Sequence, residues 1–359
     1  MNLREVIIKL SNLRGMSGFE YRIAPCVAEM FADIGCSAEI DAMGSVIAVL
    51  KCGKSGANCS VKRNNFRIML DAHIDEIGLM VAGIDSRGFL RFINIGGVDE
   101  RILPGCEVTV HGSDGDIYGV IGIKPPHIQS ADENKKVVPI DELVIDIGMD
   151  AEAAKNAVNV GDAVTFAQEA FCLQGGQLCG KSMDDRAGIA ALLYAAEVLA
   201  KRERDADIYF VCSVQEETHM TGAKTAAYAI DPHAALVIDV THGITADNSD
   251  RAYACGGGAV MSVGPNVHPA LNRLIGGIAE ELGGDDKTIE IEVDGGSTGT
   301  NAWAVQVAQI GVPTAVLSIP LRYMHSPTEV LDIADVAKVG DIAAEFAARA
   351  ALSLEEVCL

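Results

Sequence analysis

Four segments of the chain place acidic or histidine side chains at the ends of short apolar runs. The clearest is residues 208–214, which are too few for a typical helix and rich in β-branched and aromatic residues, and therefore predict a buried strand. In an open α/β sheet, ligands bind in the crevice beyond the strand ends, so side chains placed there can converge on one point. The side chains in question are His73 and Asp75, Glu216 and Glu217, Asp239, and His325.

These side chains suit divalent metal ions. Imidazole nitrogens and carboxylate oxygens without a thiolate favour zinc, cobalt or manganese in a reactive site over a structural zinc site. Glu216 and Glu217 are adjacent, so one can bind a metal ion while its neighbour moves protons. Asp239 ends an apolar strand. Burying a charge there costs on the order of several kcal/mol unless the charge is paired or bound to a metal ion.

Each residue also has an ordinary structural alternative. Glu216 and Glu217 could be a solvated pair, because charged side chains are mostly exposed. An aspartate at the start of a helical pattern, such as Asp184, usually caps the helix, and a carboxylate shared by two metal ions is the alternative role. His73 could be a surface histidine beside acids, and His325 a structural histidine. In the functional alternative, His73 and Asp75 share one strand face, so Asp75 can accept the ring N–H of His73 and fix its tautomer.

Composition excludes several classes of partner. The chain has 359 residues, of which 49% are hydrophobic and 22% are charged, as in an ordered globular protein of two domains or of one domain with an insertion. Its formal net charge of -22 argues against nucleic acid and anionic membranes. No signal-peptide pattern and no apolar run near about 18 residues occur, which predicts a cytoplasmic protein. Ten scattered cysteines fit free thiols in a reducing compartment.

The order of apolar patterns predicts two domains. Residues 1–76 and 167–359 alternate strand and helix patterns, which indicates a layered α/β catalytic domain. Residues 77–166 consist of short strand patterns broken by glycines, typical of a small inserted β-barrel or sandwich.

Two local patterns give further expectations. Ser17 with Glu20 three residues later has capping-box spacing, which predicts a helix that starts there and ends at Gly35. Residues 51–65 are rich in lysine, glycine, serine and asparagine, and we expect an exposed loop there.

Seven motifs resemble, in order, those of the M42 family of metallo-aminopeptidases. This family includes the tetrahedral (TET) aminopeptidases and proteins labelled glutamyl aminopeptidase or endoglucanase M, and the resemblance covers nearly the whole chain. The motifs are Asp71-Ala72-His73-Ile74-Asp75-Glu76-Ile77-Gly78, Arg101-Ile102-Leu103-Pro104-Gly105, Gly119-Val120-Ile121-Gly122-Ile123-Lys124-Pro125-Pro126-His127, Asp184-Asp185-Arg186-Ala187-Gly188, Val214-Gln215-Glu216-Glu217, Ile238-Asp239-Val240-Thr241-His242 and Arg322-Tyr323-Met324-His325-Ser326-Pro327.

The resemblance implies a fold and a set of cofactors. The fold would be a layered α/β/α zinc-peptidase-like catalytic domain with a mixed central sheet, and an inserted PDZ-like β-barrel that mediates dimerisation. Each subunit would hold two divalent metal ions, with zinc or cobalt favoured over manganese. The protein would be a homo-oligomer, from a dimer up to a tetrahedral dodecamer.

The resemblance also implies roles for the site residues. Glu216 would be the general base, and Asp75 would orient His73. The five expected metal ligands are Asp184, shared by both ions, His73 and Asp239 on one ion, and Glu217 and His325 on the other.

The implied activity is removal of N-terminal residues from peptides. Two cations about 3.5 to 4 Å apart lower the pKa of a bridging water, so that a metal-bound hydroxide exists near neutral pH. Glu216 would take the proton of that water and pass it to the leaving amine. If the ions also hold the free α-amine of the substrate, the enzyme is an exopeptidase.

Two other functions stay open at this stage. A glycoside hydrolase could use Glu216 and Glu217, although sequence neighbours rarely flank a sugar from both sides, and the chain has 5% aromatic residues and one tryptophan. A shell-forming or peptide-binding protein could keep the fold without the chemistry, although no expected ligand position is missing.

The chain departs from the family pattern at two places. Relatives commonly have Thr-Asp-Ala where this chain has Thr300, Asn301 and Ala302, so one negative charge is absent. The segment of residues 218–222 differs from the commoner Val-Gly-Leu-Arg-Gly. His219 within it is either a substrate-pocket residue or an exposed loop histidine.

Overall fold

A computed structural model describes residues 1–52, 66–130, 136–248, 251–283 and 289–357. Residues 53–65 of the predicted loop lie outside this part of the chain. Within it, no helix has both the length and the apolar character needed to cross a bilayer. The helices are α1 (Leu3–Asn12), α2 (Ala24–Ile34), α3 (Ala151–Ala157), α4 (Met183–Ala200), α5 (Glu216–His219), α6 (Thr221–Ile230), α7 (Pro269–Gly283), α8 (Ala302–Val305) and α9 (Ile333–Val357).

Strands fall into a large mixed sheet, a closed barrel and a small sheet of β10, β11 and β17. The strands are β1 (Ser37–Ile40), β2 (Val46–Leu50), β3 (Arg67–His73), β4 (Gly78–Ile84), β5 (Leu90–Ile95), β6 (Glu107–Gly112), β7 (Gly115–Gly122), β8 (Val144–Asp146), β9 (Ala163–Phe166), β10 (Phe171–Cys172), β11 (Gln177–Gly180), β12 (Asp207–Ser213), β13 (Ala234–His242), β14 (Ala259–Val263), β15 (Ile289–Val293), β16 (Thr314–Leu321) and β17 (Glu329–Asp332).

The large sheet of the described residues has eight strands in the order β1-β2-β12-β3-β13-β16-β14-β15. The central strands β12, β3, β13 and β16 are parallel, while β2 and β14 run antiparallel to the strands of this block beside them. The parallel strands read as near-continuous apolar runs because helices cover both of their faces. The predicted mixed sheet of a layered α/β protein is thereby confirmed.

Helices form a layer on each face of this sheet. One layer contains α1, α2, α4, α7 and α9, and the other contains α6 and α8. Because successive strand residues point to opposite faces, Ile68 and Leu70 pack against the first layer and Met69 against the second. By the same alternation, His73 and Asp239 lie on the face that carries α6 and α8.

The inserted segment forms a closed antiparallel barrel of the strands β4-β5-β8-β7-β6-β9 within the described residues. Its core is separate from that of the large sheet and includes Leu79, Phe92, Val108 and Ile145. The predicted β-barrel is confirmed as a closed barrel. We propose residues 77 and 166 as its limits, because its strands begin at Gly78 and end at Phe166.

The capping box predicted at Ser17 is wrong. Glu20 opens a short 3₁₀ helix (Glu20–Arg22), and α2 begins only at Ala24. The carboxylate of Glu20 accepts the N–H groups of Gly18 at 2.9 Å and of Gln215 at 3.0 Å. Glu20 therefore joins the loop that follows β12, a partner about 200 residues away that local spacing does not predict.

A buried ionic network fixes the N-terminal segment beside the end of β3. Glu76 is 2% exposed, and its carboxylate lies 2.8 Å from Nζ of Lys181 and 3.4 Å from the guanidinium of Arg186. Arg186 also donates to the carbonyl oxygens of Leu10 and Gly15. Burial alone raises the pKa of Glu76, but the two cations outweigh it and lower that pKa to about 2.

We predict that Glu76→Gln lowers the free energy of unfolding by about 3 to 5 kcal/mol at pH 7, because Lys181 and Arg186 are left buried without a counter-charge. The pKa of Glu76 in the folded protein lies below its ordinary value of 4.5. Its stabilisation is therefore complete above about pH 5 and is lost as the pH falls towards 2. The deficit of the variant should shrink accordingly between pH 5 and pH 3 in urea unfolding followed by circular dichroism.

The matched control is Glu281→Gln, which makes the same change in an exposed ion pair with Arg349. Exposed pairs contribute little, so this variant should unfold close to the wild type. Equal losses of stability in the two variants at pH 7 would contradict the structural role given to Glu76.

Candidate functional site

The central parallel strands bring the predicted residues to one edge of the sheet. His73 is the last residue of β3 and pairs with Ser213, the last residue of β12. Asp239 lies in β13, and His325 follows the end of β16. The carboxyl ends of parallel strands meet at one edge, so residues far apart in sequence become neighbours there.

The Asp184 carboxylate lies between two imidazole rings. Its Oδ1 is 2.9 Å from Nε2 of His73, and its Oδ2 is 3.3 Å from Nε2 of His325. Nε2 of His325 also lies 3.5 Å from the Glu217 carboxylate. Four of the five expected ligands are therefore linked in one chain of contacts, with one Asp184 oxygen directed to each histidine.

The described residues contain two adjacent groups with metal-ligand geometry. One consists of His73, Asp184 and Glu217, and the other of His73, Asp185 and Asp239, with the ligand atoms of each group within 4.8 Å of one another. Asp239 is therefore brought to His73, as expected from the sequence. Asp185 is an addition, and its Oδ2 is buried without a hydrogen-bond partner among the described residues.

The two neighbouring aspartates at the start of α4 have different roles: Asp185 caps the helix, and Asp184 contacts the histidines. Asp184 and Asp185 both depart from helical dihedral angles. Asp185 caps the helix, since its Oδ1 accepts the N–H of Gly188 at 3.0 Å. A Cβ at Gly188 would lie 2.4 Å from the Asp185 carboxylate, so only glycine leaves room for this cap. Asp184 is consequently left to face the histidines.

Asp75 positions both His73 and the glutamate pair. Nδ1 of His73 lies 3.1 Å from the backbone carbonyl oxygen of Asp75 and 3.5 Å from its carboxylate. The two carboxylate oxygens accept the backbone N–H groups of Glu216 at 3.0 Å and of Glu217 at 3.2 Å. Asp75 thus directs Nε2 of His73 towards Asp184 and holds the loop after β12 at the same time.

The barrel contributes backbone to the site through residues 96–97. The carbonyl oxygen of Gly97 lies 3.1 Å from Nδ1 of His325. A Cβ at Gly97 would be 2.6 Å from that ring nitrogen, so no other residue fits without moving His325. A neutral ring that donates from Nδ1 can offer its Nε2 lone pair to a metal ion bound beside Asp184 and Glu217.

Sequence reasoning missed Glu329, which connects two of the expected ligands. Its carboxylate accepts the backbone N–H of His325 at 2.8 Å and that of Asp184 at 3.2 Å. Burial and the charge of Asp184 raise the pKa of Glu329 well above its usual value. Glu329 lies four residues after His325, and this spacing alone carries no signal that separates it from other acids.

The site concentrates more negative charge than its own cations balance. Burial raises the pKa of Glu216 to about 9, that of Glu217 to about 8 and that of Asp239 to about 7, and repulsion between the carboxylates adds to the effect. The hydrogen bond to Asp184 raises the pKa of His325 to about 9. Carboxylates perturbed in this way, within one cleft, are a setting that a bound cation relieves.

Asn301 lies directly behind this cluster. It is buried, and its amide donates to Oγ of Ser213 at 2.8 Å. Burial raises the pKa of the nearby Asp71 to about 7, and Ser213 and Asn301 lower it. Neither Asp71 oxygen has a hydrogen-bond partner among the described residues, so Ser213 and Asn301 act on Asp71 as nearby dipoles. An aspartate at position 301 would place a second buried carboxylate beside Asp71.

A cavity of about 610 Å³ opens over the cluster. Thr218 and Met220 line it, whereas His219 is exposed outside the lining, which favours the exposed alternative for this histidine. Among the described residues, no phenylalanine, tyrosine or tryptophan lines the cavity. The expected site residues that line it are Asp184, Glu216, Glu217, Asp239 and His325.

The family is established by a match over most of the chain. The model for the family described as M42 glutamyl aminopeptidase matches residues 53–342. The protein therefore belongs to the M42 family, as the sequence motifs predicted.

Named relatives resemble the chain over nearly its whole length. A lysyl aminopeptidase of Pyrococcus furiosus is 35% identical, covering 92% of this chain and 93% of the relative. Aminopeptidase APDkam598 from Desulfurococcus kamchatkensis has a structure with a TM-score of 0.86 and 35% identity, covering 97% of this chain and 94% of its own. The TET1 peptidase of Pyrococcus horikoshii, which can assemble into a tetrahedron or a large octahedral shell, matches with a TM-score of 0.82 and 32% identity, over 96% and 99% of the two chains.

We predict that Glu329→Ala weakens binding of divalent metal ions by about 10 to 100-fold, because it releases the backbone of two expected ligands. The two N–H groups left unsatisfied should also cost about 1 to 3 kcal/mol each in unfolding free energy. Glu329→Gln keeps one acceptor oxygen and should lie between the alanine variant and the wild type. Isothermal titration with zinc and thermal denaturation would measure the two effects.

The control for charge alone is Glu142→Ala, at an exposed position in the barrel segment. If Glu329→Ala bound zinc as tightly as this control, Glu329 would have no positioning role.

Proposed function

We propose that the protein is a metal-dependent aminopeptidase that removes N-terminal residues from peptides. Membership of the M42 family and the names of its relatives support aminopeptidase activity. The observation that carries the finer proposal is the Asp184 carboxylate between His73 and His325, flanked by two groups with metal-ligand geometry.

We propose that this site holds two divalent cations. The unpartnered Asp185 oxygen and the raised pKa values of the buried acids fit a cluster that lacks positive charge. Nitrogen and oxygen donors without thiolate favour zinc or cobalt, with manganese as a third choice. When bound, such ions lower the pKa of a shared water and polarise the scissile carbonyl. The proposed ligands are His73, Asp184, Glu217, Asp239 and His325.

Glu216 is the proposed general base. Its backbone is fixed by Asp75, while its carboxylate lines the cavity and forms no hydrogen bond within the described part of the chain. As a carboxylate that lines the cavity, it can accept a proton from a water molecule held at the cluster. Glu216 would take a proton from the attacking water and deliver it to the leaving amine. Asp75 acts through its hydrogen bonds and does not touch the substrate.

The acidic inner lining of the cavity also favours a free α-amine on the substrate. Carboxylates around the cavity attract a cationic N-terminus and disfavour an internal peptide segment, which carries no such charge. Peptides with a free N-terminus are therefore the proposed substrates. The lysyl name of the Pyrococcus furiosus relative and the glutamyl name of the family differ, so neither decides which N-terminal residue this protein prefers.

A glycoside hydrolase fits the site less well. Glu216 and Glu217 are neighbours in the same short helix, α5. They therefore do not face each other across a groove as the two acids of glycosidases do. The described cavity lining also lacks an aromatic platform for sugars. A non-catalytic role is disfavoured because every expected site residue is present and Glu216 has access to the cavity.

We propose that the protein forms a homo-oligomer, from a dimer up to a dodecamer. The assembly of the Pyrococcus horikoshii relative into closed shells supports this. Large apolar side chains exposed on the barrel, among them Tyr118, Ile123 and Ile128, would be covered in such an assembly. Light scattering that found only monomers at micromolar concentration would contradict it.

We propose a cytoplasmic location, which the cysteines support. In the described part of the chain all eight cysteines are free thiols, as expected in a reducing compartment. Recovery of the native protein only from outside the cytoplasm would contradict this location.

We predict that Glu216→Gln lowers kcat for aminoacyl-nitroanilides by about 10² to 10⁴-fold, because proton transfer is lost. Zinc content should stay close to that of the wild type, since Glu216 is not among the proposed ligands. Treatment with EDTA should abolish wild-type activity, and zinc or cobalt should restore it. Steady-state kinetics together with metal analysis of each preparation would measure these effects.

Glu142→Gln is the matched control and should behave as the wild type, because this glutamate is exposed on the barrel segment. Activity that is indifferent to the chelator would end the metallopeptidase proposal. Full activity of Glu216→Gln would remove Glu216 from the mechanism but leave the metal dependence standing.

A further inference from the structure

The cavity extends from the metal cluster across the face of the large sheet. Asp239 on β13 pairs with Ser318 on β16, which in turn pairs with Val260 on β14. Ser262, two residues further along β14, pairs with Glu292 on β15. Paired residues point to the same face, so Asp239 and Glu292 lie at opposite ends of one continuous surface.

The floor of this surface carries unpartnered hydroxyl groups. Ser318 and Ser262 each have 2% of their surface exposed, and both line the cavity. Neither hydroxyl has a hydrogen-bond partner within the described residues. Both hydroxyls belong to the cavity lining, where they can bond a polar ligand that lies between the Asp184 cluster and β15.

Two carboxylates without a basic partner form the far end of the cavity. Glu292 accepts the hydroxyl of Thr241 at 2.9 Å, which fixes its orientation, and Asp294 lies beside it in the lining. Neither acid forms an ion pair in the part of the chain that the structure describes. Burial and the Asp294 charge raise the pKa of Glu292, while the Thr241 hydrogen bond and the His242 imidazole lower it, with a net upward shift. A cation placed here would relieve this unfavourable charge.

Basic residues of the lining lie at its exposed rim. Arg251 and His242 both line the cavity and are both exposed, whereas Glu292 and Asp294 are half-buried. A charge in water is screened, and one in a cleft acts more strongly on a ligand. The acids therefore dominate the inner end, even though the rim carries a guanidinium.

We propose that this cavity selects peptides whose first residue is basic, lysine above all, with Glu292 binding the side-chain ammonium. The inference rests on the proposed aminopeptidase function and deepens it. Thr241, which holds Glu292, is two residues beyond Asp239, or about 6.7 Å along the strand. The Thr241 hydrogen bond ties the Glu292 carboxylate to the strand that carries Asp239, so that both acids face one substrate in the cavity.

Other first residues fit this surface poorly. A glutamate side chain would bring a carboxylate against Glu292 and Asp294. A leucine would cover the two serine hydroxyls and leave Glu292 without a cation, and leaving buried polar groups unpaired is the strongest basis of such discrimination. Norleucine matches the length of lysine without its charge, which makes it the sharpest comparison.

The test is a kinetic panel on the full-length, metal-reconstituted protein, with aminoacyl-nitroanilides of lysine, arginine, norleucine, leucine and glutamate. We expect kcat/KM for lysine to exceed that for norleucine by at least about tenfold, the value of one hydrogen bond to a charged group. Glu292→Gln should lower the lysine to norleucine ratio about tenfold, mainly through KM. Calorimetric binding of free L-lysine and L-norleucine should show the same loss of preference without turnover.

Glu290→Gln is the matched control, since it makes the same change on the same strand at a residue outside the cavity lining. It should keep the wild-type ratio. A wild-type protein with no preference for lysine over norleucine, a preference for glutamate, or equal ratios in the two variants would each overturn the proposal.

Failure of this inference can be told apart from failure of the proposed function. Chelator-sensitive cleavage of leucine or glutamate substrates without a preference for lysine would overturn the lysine pocket alone. Absence of cleavage of every substrate with zinc, cobalt and manganese would overturn both.

Discussion

The site depends on one buried carboxylate, that of Asp184, placed between the imidazoles of His73 and His325. Each neighbouring element keeps this contact in place. Asp75 and Gly97 accept from the far nitrogens of the two rings, and Glu329 holds the backbone of Asp184 and His325. Because these three side chains come from β3, α4 and the loop after β16, the contact exists only when the sheet, its helix layer and the barrel are assembled.

This cluster of buried acids lowers the stability of the folded protein, and the ionic network beside it offsets part of that loss. Glu216, Glu217 and Asp239 are acids in a low-dielectric cleft, and burial raises the pKa of each, so the cluster by itself opposes folding at neutral pH. The ionic network of Glu76 with its cations lies beside the end of the same strand and works in the opposite direction. Divalent cations that bind only the folded protein would add further stability.

The sequence predicted the parts of the site that follow from chain-local pattern. Apolar runs ending in acids or histidines located the strand ends. The parallel pairing of the strands then brings His73 and Asp239 to the same edge of the sheet. It could not predict Glu329, whose partners are backbone groups brought near by the fold. The prediction of a capping box at Ser17 was wrong for the same reason, since the Glu20 carboxylate accepts a hydrogen bond from a loop far along the chain. The barrel was predictable from its glycine-broken strands, but not the Gly97 carbonyl that it places against His325.

The most direct test of this account is anomalous diffraction from crystals of the protein grown with zinc, recorded on both sides of the zinc absorption edge. We predict two anomalous peaks per subunit, about 3.5 to 4 Å apart, with the Asp184 carboxylate between them. One peak would lie near Asp239 and the other near His325, in line with their positions around His73 and Asp184. Peaks that lie elsewhere, or no peak at Asp184 in zinc-saturated crystals, would contradict the account.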